Sequence, residues 1–435
     1  CGYLGGAPGR AHPGNTEIVP SRDRPARTET GTVGAVMTVY DIAIVGAGPS
    51  GAAAALTAHR LGLSVVVVDK ATFPRDKTCG DGLTTNALRL LEALGVGLDE
   101  LGGVGGWTPV HAAVLVSPRG RSVGVPMPSG PGVYSGVVAR LVLDAALVRH
   151  VEASDAEVRL GRSLEAITTT SDGATLTLDD GSIVETRHVI AADGHWSRVR
   201  HLLAPDAPRD LGEWHAVRQY FADAGDDRLW VFFEPDLLPG YFWIFPAAGG
   251  GANVGYGVLR SQGRSGRELK ALWPDLLARP HIARVLGPRA TPTESVHAWP
   301  IPTRYEPDAL SDGPVLFVGD AARVVDPMTG EGIAQALETG ILAAQAVAAG
   351  GDIGATYRRS VHRNLGRDLR FAARLQRVLA HPRGAQAAIR TVALSDWTRR
   401  NFARWMFEDY PRALLLTPDR WTRGMFHRPG AYRAP

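Results

Sequence analysis

Cysteine is nearly absent: the 435-residue chain holds only Cys1 and Cys79. With no Cys-x-x-Cys pair or other metal-ligand spacing, neither a disulfide scaffold nor a zinc site is available, and a reducing cytoplasm is the simplest compartment. Lysine is almost as scarce, at Lys70, Lys77 and Lys270. Arginine therefore carries nearly all the positive charge, a bias that fits a GC-rich bacterial genome. No uninterrupted apolar run reaches about 18 residues, which excludes an ordinary transmembrane helix and leaves peripheral membrane contact open. An excess of one charge is also missing: 47 basic residues against 44 acidic ones give +3. With the two signs interspersed, a nucleic-acid partner is not expected.

What is present is length and apolar content enough for two intertwined domains. Residues 1–36 are rich in Gly, Pro, Arg and Thr and show no helical or strand period. They are expected to be a disordered extension, with the natural start at Met37, where Thr38 and Val39 lead into a strand.

Tyr40 to Val45 reads as a short strand, Gly46 to Gly51 as a glycine turn, Ala52 to Leu61 as a helix and Ser64 to Asp69 as a second buried strand. Asn86 to Leu94 and Arg140 to Val151 read as helices, and Val110 to Val125 as a hairpin. Val158 to Ile190 reads as a small meander, punctuated by turns at Asp172-Gly173 and Asp180-Gly181. Strand runs between Glu213 and Val258 suggest a curved sheet, followed by a strand at Val315 to Val318 and an apolar helix from Glu331 to Ala349. After Gly351 the chain is helical and arginine-rich.

The first strand, helix and strand unit carries Gly46-Ala-Gly48-Pro49-Ser-Gly51, a Gly-x-Gly-x-x-Gly turn. Gly46 permits the tight turn, Gly48 lets a pyrophosphate approach the backbone, and Gly51 lets the helix pack closely. The helix N-terminus offers unpaired N–H groups to phosphate. Alone, such a turn serves geometry as often as ligand binding. Asp69, 18 residues after Gly51 at the end of the second strand, adds a carboxylate for ribose hydroxyls. Two later elements resemble fingerprints of the flavin hydroxylases and their relatives. Ala192-Asp193-Gly194 with Ser197-Arg198 is similar to their Asp-Gly element, and Gly319-Asp320 to the Gly-Asp element whose aspartate holds the ribityl chain. Gly332 and Ile333 then open a helix directed at the flavin ring, and Arg140 matches an arginine that reaches the cofactor. The resemblance implies FAD.

Within that superfamily, Lys77-Thr-Cys79-Gly80-Asp81-Gly82 and Tyr241-Phe-Trp243-Ile-Phe245-Pro246, followed by Asn253-Val-Gly255, resemble the geranylgeranyl reductase family. The likeness extends from Tyr40 to Ala349. It implies an enzyme reducing isolated C=C bonds in an isoprenoid lipid or quinone side chain, with hydride from reduced flavin and electrons from NADPH or ferredoxin. By this resemblance Gly46, Gly48, Pro49, Gly51, Asp69, Lys70, Cys79, Gly80, Gly82, Arg140, Asp193, Gly319, Asp320, Gly332 and Ile333 contact the cofactor. Tyr241, Trp243, Phe245 and Gly255 would meet the substrate, and Cys79 and Tyr241 are the candidates for catalysis. Tyr241, Trp243 and Phe245 alternate along one strand and so share a face; without the resemblance they read as an aromatic core cluster, and Cys79 as a small buried hydrophobe.

The implied fold class is α/β: a discontinuous Rossmann-like FAD-binding domain with a parallel sheet (37–105, 138–205, 311–352). A second α+β domain with a mostly antiparallel curved sheet (106–137, 206–310) and a helical C-terminal region (353–435) complete it. In that region Trp397, Phe402, Trp405 and Phe407 interleave with Arg399, Arg400 and Arg404, as in an amphipathic helix that packs on the body, covers the pocket or rests on a membrane. No oligomeric state is read. The alternative activity is a flavin monooxygenase acting on an aromatic or polyketide substrate. A flavin halogenase fits less well, because its Trp-x-Trp-x-Ile-Pro element is replaced at Tyr241 to Pro246. A non-catalytic flavin-binding module is the reading outside enzymes.

Overall fold

The computed structural model describes residues 38–102, 106–128, 132–407, 411–414, 417–418 and 421; the expected extension 1–36 lies outside them. One eight-stranded sheet runs, along its main path, in the order Ser311–Asp312, Val315–Phe317, Ile183–Ala191, Val39–Val45, Val65–Asp69, Glu157–Leu160. Every joint along this path is parallel except the short one between the first two strands. Val65–Asp69 is buried throughout, which is why it reads as an unbroken valine run rather than an alternating strand.

The glycine turn leads into helix Pro49–Arg60, with Pro49 in its first turn and His59 and Arg60 in its last, both favourable for a helix. This alanine-rich helix lies against Ile333–Ala349 at very short range. A Cβ on Gly340 would come within 2.1 Å of the Ser50 carbonyl oxygen, and one on Gly51 within 1.8 Å of that of Gly46. Small residues thus bring the turn and the two helices into close contact.

The meander is smaller than expected. Only Leu164–Thr169, Ala174–Leu178 and Ile183–Ala191 form it, whereas the strand containing Val158 pairs parallel with Val65–Asp69 at the sheet edge. Hydrophobic runs cannot distinguish these two fates, because each buries one face.

The second eight-stranded sheet takes Trp214–Ala222, Gly251–Leu259, Phe242–Ala247 and Leu229–Phe232 as an antiparallel core. The hairpin Ala112–Val116 and Ser122–Pro126 joins it by a parallel pairing with Leu229–Phe232. A three-stranded sheet of Gly82–Leu83, Gly136–Val138 and Trp107–Pro109, not foreseen from the sequence, fixes the segment after Cys79. Helices Pro382–Val392 and Asp396–Met406 place Ile389, Val392 and Ala403 in a core shared with the hairpin.

Candidate active site

A cavity of about 1150 Å³ lies between the two large sheets. Its polar end is built by the ends of the parallel strands. Gly46 adopts a positive φ of 105°, and the Ala47 N–H donates to Asp69 Oδ2 at 2.6 Å while Ala71 N–H donates to Oδ1 at 2.7 Å. Asp69 therefore joins the glycine turn to the second strand, and each of its oxygens keeps a lone pair for a ligand hydroxyl. Gly48 opens directly on the cavity; a Cβ there would meet only the tip of Arg75, at 3.5 Å.

Arg140, buried at the start of helix Arg140–Glu152, is gripped bidentately by Asp144, with Nε and Nη2 each at 2.7 Å from a carboxylate oxygen. Arg75 Nη1 lies 3.0 Å from the same carboxylate. Burial works against the Arg140 charge, but Asp144 outweighs it and the guanidinium stays ionised. Across the cavity, Lys77 Nζ meets Asp320 Oδ2 at 3.0 Å. Burial would raise the Asp320 carboxyl, yet Lys77 draws it below its ordinary range. Asp193 caps helix Arg198–Leu203 through the Val199 N–H at 2.9 Å, leaving its Oδ1 buried without a partner. His195 Nε2 is likewise buried and unpartnered.

The middle of the cavity has an aromatic wall. Gly80 and Gly82 pass so close to it that a Cβ on either would touch Phe245 at 3.7 Å. Trp243 donates its indole N–H to Asn253 Oδ1 at 2.9 Å, and Asn253 Nδ2 donates to the Cys79 carbonyl and to Asp81 Oδ2, both at 2.8 Å. Asp81 Oδ2 also accepts from the Tyr220 hydroxyl. Burial lifts the Asp81 carboxyl to about 6, against the opposing pull of Tyr220 and Asn253. Burial, reinforced by Asp81, raises the Cys79 thiol, whose sulfur accepts the Asp81 N–H at 3.3 Å. Much of the rest of the lining is apolar: Leu115, Val125, Leu229, Val231 and Phe233, with Leu379, Phe402 and Met406 from the C-terminal helices.

Most residues singled out from the sequence line this cavity: Gly46, Gly48, Pro49, Asp69, Lys70, Cys79, Gly80, Gly82, Arg140, Asp193, Asp320, Gly332, Ile333, Tyr241, Trp243 and Phe245. Three lie behind its wall. Gly51 sets the helix against the turn, and Gly319, at a φ of 57°, faces Ser50. Gly255, expected to meet substrate, instead seats Trp243, whose Cζ2 would be 2.3 Å from a Cβ at that position. The Tyr241 hydroxyl donates to the Thr329 carbonyl, so it secures the loop before Gly330 rather than standing free as an acid. Asp144, Tyr220 and Asn253 were not singled out. For Asp144 the signal was its spacing from Arg140 on one helix, and for Asn253 its place in the Asn253-Val-Gly255 element.

The residues fit a flavin dinucleotide: an open glycine cradle, a carboxylate at each of two strand ends and buried orphan polar atoms, around one large cavity. The chain belongs to the FAD binding domain family, whose profile it matches over residues 39–350. It is an FAD-dependent oxidoreductase. It is 36% identical over 361 residues to a menaquinone reductase of Mycobacterium tuberculosis, covering 79% of this chain and 85% of that one. It is 31% identical over 330 residues to digeranylgeranylglycerophospholipid reductase 2 of Methanopyrus kandleri, covering 71% and 77%. Among solved structures, a geranylgeranyl bacteriochlorophyll reductase-like protein from Thermoplasma acidophilum shares the fold, with a TM-score of 0.73 at 21% identity, covering 88% of this chain and 99% of that one.

Proposed function

We propose that the protein reduces isolated C=C bonds in the isoprenoid chain of a lipid or quinone. The observation that carries this reading is that one cavity combines a dinucleotide cradle, an aromatic wall and an apolar lining of the kind that a prenyl chain needs. Its similarity to a menaquinone reductase and to a digeranylgeranylglycerophospholipid reductase supports it. When bound and reduced, FAD supplies a hydride. Gly46 to Pro49 and Asp69 would hold its adenosine and pyrophosphate, and Asp320, Gly332 and Ile333 its ribityl chain and ring. Cys79 and Gly80 would lie against the ring, while Trp243 and Phe245 present their faces to the alkene. Phe402 and Met406 would cover the substrate on the side of the C-terminal helices.

Electrons would come from NADPH or ferredoxin. Trp397 and Leu394, 65% and 74% exposed, stand among the arginines of the C-terminal helices, a surface suited to an anionic membrane from which a lipid could be drawn.

The test is anaerobic. The flavin is reduced, menaquinone or geranylgeranyl diphosphate is added in detergent, and flavin reoxidation is followed together with the mass of the lipid. Reoxidation with hydrogenation of the lipid is the expected result. A flavin that stays reduced until oxygen is admitted would turn the assignment to a monooxygenase.

A further inference from the structure

Asp144 holds two guanidiniums with one carboxylate. Its Oδ1 accepts Arg140 Nε and its Oδ2 accepts Arg140 Nη2, each at 2.7 Å, and Oδ2 also lies 3.0 Å from Arg75 Nη1. Arg140 alone neutralises this buried carboxylate, so the second guanidinium leaves one positive charge uncompensated. Arg75 carries that charge into the cavity. It lines the cavity with 24% of its side chain exposed, lies over the Phe73 ring at 4.9 Å, and its Nη2 has no partner among the described residues.

The free edge stands at the glycine turn. Nη2 lies 3.5 Å from the position of a Cβ on Gly48, and Gly48 opens helix Pro49–Arg60, whose first turn has neither a capping side chain nor an acidic residue. The unpaired N–H groups and positive end of that helix attract phosphate, and the glycine lets it come close. A phosphate seated there meets a guanidinium whose planar donors suit its oxygens. Residues 76–82 follow along the cavity. Asp76 Oδ2 accepts Arg218 Nη2 at 2.7 Å, Lys77 meets Asp320 at 3.0 Å, and the Cys79 carbonyl accepts Asn253 Nδ2 at 2.8 Å. Gly80 and Gly82 then pass against Phe245.

We propose that Arg75 is the phosphate clamp of the dinucleotide site, its Nη2 edge meeting the pyrophosphate at the Gly48 turn, and that this contact fixes residues 76–82 against the aromatic wall. Asp144 is the positioning residue of the clamp. By holding Arg75 and Arg140 on one carboxylate it sets the spacing of two cofactor contacts. An arginine needed only to neutralise Asp144 would be redundant, because Arg140 already does so bidentately. Held by an ion pair at one nitrogen and an aromatic face beneath, Arg75 has little side-chain freedom left to lose on binding. The clamp is independent of which substrate the enzyme reduces.

The test titrates the full-length protein, stripped of flavin, with FAD, ADP and riboflavin. Arg75→Met should weaken FAD and ADP at least about tenfold, the loss that follows removal of a charge-assisted hydrogen bond to phosphate. Riboflavin, which has no phosphate, should bind both proteins equally. Arg75→Lys keeps the charge without the planar edge and should recover part of the loss. ADP, which carries no flavin ring, should slow hydrogen exchange of residues 76–82 in the wild type and not in Arg75→Met. Equal ADP affinity in wild type and Arg75→Met, or parallel losses for ADP and riboflavin, overturns the clamp. Exchange that ADP leaves unchanged in the wild type, or slows equally in both proteins, overturns the coupling to residues 76–82. If Arg75→Met does not fold, Arg75→Lys carries the test: ADP weakened with riboflavin unchanged supports the clamp, and ADP bound as in the wild type overturns it.

Discussion

Lys77 and Asp320, 243 positions apart in the chain, meet across the cavity with Nζ 3.0 Å from Oδ2. Side-chain exposures of 24% and 19% make this a half-shielded pair, intermediate between weak surface bridges and costly buried ones. Lys77→Met should destabilise the cofactor-free protein by about 1–3 kcal/mol at neutral pH. Asp320 has a lowered pKa, so its stabilisation is present above the ordinary carboxylate range and lost as pH falls through the folded value. The gap between wild type and variant in thermal unfolding should therefore narrow in acid, and a gap that does not change with pH would refute the assignment.

Asp144 is fully buried between Arg140 and Arg75. Asp144→Ala leaves a desolvated guanidinium without its counterion, at a cost of about 3–5 kcal/mol. Urea unfolding should show it, and a loss below about 1 kcal/mol would mean that Arg140 finds another partner.

Tyr241→Phe separates anchoring from acid catalysis. With its hydroxyl committed to the Thr329 carbonyl, removal should cost about 0.5–1.5 kcal/mol of stability and leave single-turnover lipid reduction within several-fold of wild type. A fall of two orders of magnitude would make Tyr241 the acid.

Gly255→Ala tests the seat of Trp243. The added methyl would be 2.3 Å from both Trp243 Cζ2 and the Val217 carbonyl oxygen, so the indole must leave Asn253. Flavin content should persist while lipid reduction falls at least about tenfold, since a small misplacement of positioning groups is enough to slow chemistry strongly. Unchanged kinetics would show that the aromatic wall tolerates the shift.

Much of this was legible in the sequence because it is local. The glycine turn, the valine strand ending in Asp69 and the alternation of Tyr241, Trp243 and Phe245 each follow from backbone geometry over a few residues. The hairpin and the helix beginning at Arg140 were readable for the same reason. The resemblances at Cys79 to Gly82 and at Gly319-Asp320 named the flavin and the family. The sequence could not show that Gly255 lies behind Trp243, that the Val158 strand leaves the meander, or that Tyr241 spends its hydroxyl on a loop. Each of those depends on a neighbour supplied by another element.

Sequence by itself thus determined most of the elements, because hydrophobic period and turn chemistry act over short spans, while the cofactor class and most of the cavity's lining followed from resemblance to a family. Only the tertiary structure decided which polar atoms have partners. Burial in the assembled site lifts the Asp81 carboxyl to about 6, against the pull of Tyr220, Asn253 and Arg218, all more than 130 residues away along the chain. Desolvation is a property of the assembled site, and no stretch of sequence carries it.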